Sequence, residues 1–203
     1  MSLGASERPK TKEDEALVEL QRNDLSVRRR RALLLQLADV GTERSVDVLR
    51  ENLYGADLKI KVGALSALEK IASDEAVDAL SEFVRKQTGP PFALAVSSLR
   101  VANPHRAMPK LLEILQERRG ELSEGNKQVI IHALAHVPHR SQVPVLSATL
   151  KEGSWMTRRV AAMALSRIRT PESRVALQEA AQSLSWVGRM PIRRELNRCR
   201  HDA

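Results

Sequence analysis

The sequence predicts an all-α protein assembled from repeated helix pairs, and three observations carry that expectation. Apolar residues make up 42% of the 203-residue chain, yet only five residues are aromatic. With Ala, Leu, Arg and Glu dominant and β-branched residues scarce, the core has to be built from good helix formers. Side chains suited to helix N-caps recur at near-constant spacing, each followed at one interval by a leucine. Both tryptophans fall inside this recurrence, in EGSWMTR (152–158) and SLSWVGR (183–189), 31 residues apart.

The caps are Ser26, Asp57, Thr88, Ser123, Ser154 and Ser185, separated by steps of 31, 31, 35, 31 and 31 residues. A short side-chain oxygen at such a position accepts from the unpaired N–H groups of the first helical turn. Eleven residues after each cap stands a leucine: Leu37, Leu68, Leu99, Leu134, Leu165 and Leu196. Apolar or small residues flank these leucines at helical offsets, as in Ala64/Leu68/Ile71, Ile130/Leu134/Val137 and Ala161/Leu165/Ile168. Offsets of four and three place each triplet on one face of a helix. This is the second helix of each repeat.

A first helix precedes it. Its apolar positions are Val46/Leu49/Leu53, Val77/Leu80/Val84, Met108/Leu111/Leu115 and Val143/Leu146/Leu150, weakening to Val175/Leu177/Ala181 in the last repeat. Start signals agree: Thr11, Thr42, Ser73, Asn103-Pro104 and Thr170-Pro171, with proline where no N–H donor is needed. Six helix pairs result, with a four-residue insertion near ERRGELSEG (117–125). Residues 1–10 precede the pattern and are expected to be disordered; residues 11–203 are expected to form a single repeat domain. The tryptophans share the slot one residue past the cap, elsewhere filled by Val27, Leu58, Gly89 and Glu124. Packing is the expectation for both rings, because large aromatics contribute burial first. Exposed rings used in recognition are the alternative.

The segment TRRVAAMALSRI (157–168) resembles the HEAT-like repeats of the phycobilisome-lyase type, through Arg158, Ala161-Ala162, Ala164-Leu165 and Ile168. IKVGALSALEKI (60–71) fits almost as well, with Lys61 at the arginine position; the remaining repeats fit more loosely, and Phe92 breaks the basic position. The resemblance covers nearly all of residues 11–203. It implies a right-handed α-solenoid of six HEAT-like helix pairs whose second helices line a concave face. It also implies that the basic column Arg30, Lys61, Lys127, Arg158 and Arg189 is a set of structural ties between neighbouring units, as guanidinium forks often are. The RRRR run at 28–31 is then partly framework and partly solvated surface.

The net charge of +8 is placed unevenly. Residues 1–100 carry 16 basic and 16 acidic side chains, and residues 101–203 carry 17 and 9. On the expected concave face, much of this excess falls on one stripe: His132 and His136, Arg159 and Arg167, Arg194 and Arg198, interleaved with Gln128, Met163 and Met190. Such a stripe suits an acidic protein surface or a phosphate backbone; a merely solvated arginine-rich face is the bland counterpart. His132 and His136 have the spacing of two metal ligands on one helical turn, but no third ligand stands in register, so no metal is expected. Cys199 occupies an apolar slot and reads as core rather than nucleophile.

Marks of catalysis are missing. The deoxyhypusine hydroxylases, a related repeat family, use His-Glu dipeptides as iron ligands, and this chain has none. Too few aromatics are present to line the cleft of a HEAT-like DNA glycosylase, and no residue set suits chromophore handling by a lyase. No cofactor is expected. One cysteine fits a reducing compartment. The opening MSLGASERPKTKEDE has no apolar run behind its charges and is not expected to be a signal peptide, and no apolar run approaches the roughly 18 residues of a membrane span. The expectation is a cytoplasmic, non-catalytic scaffold binding a protein partner with an acidic surface. A nucleic-acid-binding module is the alternative, disfavoured by the lack of stacking rings, and a lyase-like enzyme is the weaker one.

Overall fold

The computed structural model describes the backbone of residues 11–201, and their side chains except those of residues 186, 187, 191 and 198–201. The expectations for residues 1–10 and for the side chains of Trp186, Arg198 and Cys199 lie outside the described residues. Twelve α-helices and no strand are present among the described residues. First and second helices alternate along the chain: α1 (Lys12–Leu20), α2 (Val27–Val40), α3 (Val46–Leu53), α4 (Leu58–Ile71), α5 (Asp74–Lys86) and α6 (Phe92–Ala102). After them come α7 (Pro104–Glu117), α8 (Glu124–Leu134), α9 (Val143–Glu152), α10 (Trp155–Ile168), α11 (Pro171–Ser183) and α12 (Trp186–His201). Short 3-10 turns, Glu43–Ser45 and Arg140–Gln142, lead into α3 and α9.

Contacts cluster into two compact units that divide between Ala102 and Asn103. In the first unit, α2 packs on α4 and α4 on α6, while α1, α3 and α5 pair with them in turn. In the second, α10 packs on both α8 and α12, and α9 on α11. Within each unit the helix pairs therefore stack in the manner of an α-solenoid. Each pair buries the apolar stripe of its helices against the next pair.

The caps act as the spacing requires. Ser26, Asp57, Ser123 and Ser154 accept from first-turn N–H groups of α2, α4, α8 and α10, and Thr11, Ser73, Asn103 and Thr170 do so for α1, α5, α7 and α11. Thr88 departs from the expectation: α6 begins only at Phe92. Gly89 and Pro90 each precede a proline, which disfavours helical backbone at both positions and pushes the start past Pro91. The insertion folds on itself as a turn, with the Leu122 N–H donating to Arg118 O at 2.9 Å and the Leu122 side chain buried.

Leu37, Leu68, Leu99, Leu134 and Leu165 are fully or almost fully buried. Leu196 is only half-buried; among the described helices α12 packs on α10 and α11. Sequence periodicity also misplaced the face of α11. Val175 is exposed, and the buried set is Ser173, Ala176, Leu177 and Ala180, again at offsets of three and four. Small residues satisfy a helix face as well as large ones where the neighbour comes close, and the sequence pattern does not register them.

Candidate functional site: a methionine and arginine groove on the second helices

The site is centred on the start of α10. Gly153 brings α9 and α10 together with no linker beyond Ser154: a Cβ there would lie 2.8 Å from Thr149 O and 3.1 Å from Thr157 Cβ. The Ser154 hydroxyl accepts from the Thr157 N–H at 3.3 Å and fixes the first turn. Trp155 and Met156 are then the first residues of the helix, and both are 44% exposed. The packing expected of Trp155 is thus corrected. Its slot stands ten residues before the core leucine, about 80° away around the helix at 3.6 residues per turn, on the flank. Val27 and Leu58 occupy the same slot and are exposed as well.

Three helices contribute residues at one-turn spacing to a common groove of about 490 Å³. From α10 come Trp155, Arg159 and Met163, with Met156 and Val160 beside them. The α8 helix contributes Gln128 and His132; α12 contributes Met190, Arg194 and Glu195. Positions four apart share a helix face, so each helix presents one short column to the groove. Four large apolar side chains are exposed among the described residues of the second unit: Trp155, Met156, Val175 and Met190. Three of the four line this groove. Within the second unit, exposed large apolar side chains are thus concentrated at the groove.

The charges around it are of two kinds. Arg159 and Arg194 are exposed and have no hydrogen-bond or ion-pair partner among the described residues. Glu195, by contrast, is 6% exposed and accepts from the Ser166 hydroxyl at 3.0 Å. The His132 ring remains exposed, yet its pKa lies below the ordinary histidine value. Partial loss of water is the largest cause, followed by the positive charges of Arg167, His136 and Arg159.

Of the stripe read from sequence, His132, Arg159 and Arg194 come together. Arg167 does not line the groove; its guanidinium donates to Ala135 O at 3.2 Å, just past the C-terminus of α8, where a cation is favoured by the helix dipole. His136 lies beyond the end of α8 at Leu134, in the following turn, and does not line the groove. Among the described residues no group of three or more His, Cys, Asp or Glu side chains could hold a metal ion. Met156 and Glu195 were not anticipated from sequence. The available signal was the repeat itself, since Met156 follows a slot exposed in three repeats.

The second basic column has a different role. Arg30 donates to Leu20 O and Arg22 O at 3.2 and 2.8 Å, Arg158 to Lys151 O at 3.2 Å, and Arg189 to Leu184 O at 2.7 Å. Each guanidinium thus closes the C-terminal end of the preceding first helix, satisfying carbonyls that the helix leaves unpaired. These bonds run within one helix pair rather than between neighbouring units, which corrects the expectation. Lys127 instead pairs with Glu124 at 2.9 Å.

Carboxylates also tie neighbouring pairs together, as the Arg167 bond to Ala135 O does. Glu124 accepts from the Thr157 hydroxyl at 2.6 Å and the Ser154 N–H at 2.9 Å, joining α8 to α10. The Thr157 and Lys127 hydrogen bonds lower its pKa to about 2. Glu13 does the same in the first unit, accepting from the Thr42 N–H, the Thr42 hydroxyl and the Ser45 hydroxyl at 2.7–2.9 Å.

Residues 108–197 match the family model of HEAT repeats, and residues 29–55 match that of the PBS lyase HEAT-like repeat. The chain is a HEAT-like repeat protein. No curated protein matches it significantly by sequence. Among solved structures it is similar to human deoxyhypusine hydroxylase in complex with glycerol, at 18% identity and a TM-score of 0.40, over 93% of this chain and 85% of that one. A likeness of that degree carries no argument about activity.

Proposed function

We propose that this HEAT-like repeat protein is a non-catalytic scaffold that binds a protein partner with an acidic surface, using the face formed by α8, α10 and α12. One observation carries the reading: exposed Trp155, Met156 and Met190 share a groove with two guanidiniums that have no partner among the described residues. Tryptophan, methionine and arginine are the residues enriched at protein interfaces, and Met-lined surfaces adapt to varied side chains. Rigid stacked helices present such a surface already formed, which lowers the ordering cost of binding. Within the groove, Glu195 is held by Ser166 and His132 stands among cations, an arrangement suited to recognition rather than proton transfer. The single cysteine is consistent with a cytoplasmic setting. No helix among the described residues is long and apolar enough to cross a membrane.

The test compares wild-type protein with an Arg159→Glu/Arg194→Glu variant in cross-linking capture from native lysate, with and without nuclease. A protein captured by the wild type, retained after nuclease and lost with the variant is the expected result. Capture abolished by nuclease would favour the nucleic-acid reading. Capture unchanged in the variant would place the partner on another face.

A further inference from the structure

Resting on that reading, we infer that the occupant of the groove is a short linear segment of the partner: one bulky apolar side chain inserted between Trp155 and Met190, with carboxylates on either side meeting Arg159 and Arg194. The first ground is size. A recess of about 490 Å³ lies in the range of pockets that take a small ligand or an anchoring side chain. The second is its lining. Met156, Met163 and Met190 surround the space, and flexible thioether side chains mould themselves to an inserted apolar group.

Charge decides the flanks. Arg159 and Arg194 stand on α10 and α12, on different walls of the groove, and neither is neutralised by a described residue. An unpaired guanidinium fork next to apolar surface fits a carboxylate bidentately. Nucleic acid fits less well. The groove offers one indole and one imidazole among its described residues, short of a run of stacking rings, and the buried carboxylate of Glu195 stands in its wall, where a phosphate backbone would meet repulsion. A carboxylate-flanked anchor avoids this by placing its apolar group, not its charge, in the centre.

The full chain would be titrated into fluorescein-labelled acidic peptides of Asp, Glu, Ser and Gly, each with one central Leu, Phe or Trp, and followed by anisotropy. Matched probes would replace the central residue with Ser, replace the acids with Lys, or substitute single-stranded RNA. We expect at least one anchored acidic peptide to bind, and its Ser-centred counterpart to bind about tenfold more weakly, as loss of a hot-spot side chain produces. Arg159→Gln/Arg194→Gln should weaken the anchored peptide by about tenfold or more, as loss of two charge-assisted contacts does. Met163→Glu should abolish binding while the unfolding midpoint confirms an intact fold. In a Trp186→Phe background with an anchor other than Trp, binding should shift the emission of Trp155. Equal affinity for anchored and Ser-centred peptides would overturn the inference, as would tighter RNA binding or no binding to any peptide. If peptides fail while the Arg159→Glu/Arg194→Glu variant still loses the captured protein, the groove meets a folded acidic surface and only this inference falls.

Discussion

The two units are built from the same repeat, yet their second-helix faces differ in what they leave unsatisfied. In the first unit Lys70 pairs with Asp39 at 2.7 Å and Arg29 with Glu19 at 2.6 Å, so much of the surface charge is internally matched. Its recess near Val27 and Leu35 is edged by Arg28, Arg31 and Lys59 and contains no aromatic ring or methionine. In the second unit the corresponding helices leave Arg159 and Arg194 without described partners, as Arg28, Arg31 and Lys59 are in the first, but here the cations surround Trp155 and three methionines. The frameworks are alike: Arg30 and Arg158 close first helices the same way, and Glu13 and Glu124 tie adjacent pairs. What differs is confined to positions the repeat does not constrain. A scaffold of this kind acquires function by substitution at those positions, without cost to its core.

The largest test of the comparison is in the core. Leu165→Ala, on α10 between α8 and α12, should destabilise by about 2–5 kcal/mol, and Leu37→Ala, on α2, which among the described helices packs chiefly on α1 and α4, by less. Urea unfolding of both variants measures the difference; equal losses would show that the repeats do not share stability as a stacked array does.

Next comes the junction specific to the second unit. Gly153→Ala drives a methyl group against the Thr149 carbonyl and Thr157, and should cost about 1–3 kcal/mol as overpacking does. A neutral result would mean that the α9–α10 junction gives way, and that Trp155 is not held in place by it.

A smaller and sharper effect separates adjacent arginines. Arg158→Gln removes the bond to Lys151 O and should cost about 1 kcal/mol, as should Arg30→Gln in the first unit. Arg159→Gln should leave stability within about 0.5 kcal/mol of wild type, since nothing described holds its guanidinium. Similar losses at 158 and 159 would erase the distinction between framework and groove.

The smallest effect is in pH. The folded Glu124 pKa, about 2, lies below the ordinary glutamate value of 4.5, so its contribution is complete above pH 4.5 and lost as pH falls toward 2. Glu124→Gln should therefore flatten the decline in stability over that window, measured as urea midpoints at successive pH values. An unaltered slope would assign the acid sensitivity to other carboxylates, such as Glu13, whose hydrogen bonds from Ser45 and Thr42 outweigh its burial and lower its pKa.

Helix number, order and most boundaries were determined by the sequence alone. These depend on local interactions: a cap oxygen and the N–H groups of one turn, or apolar residues three and four apart. Even the departure at Thr88 has a local cause in the two prolines that follow it. The candidate groove was only partly legible. His132, Arg159 and Arg194 stood out by repeat register, but the register could not separate them from Arg167, whose guanidinium finds a carbonyl from another helix. Nor could it tell that the slot of Trp155 opens to solvent. Burial of a flank position depends on how closely the neighbouring helix approaches, and that distance is set by small residues such as Gly153 and by packing between pairs. Which arginines are satisfied and which remain free is likewise decided between helices, so only the tertiary structure could show it.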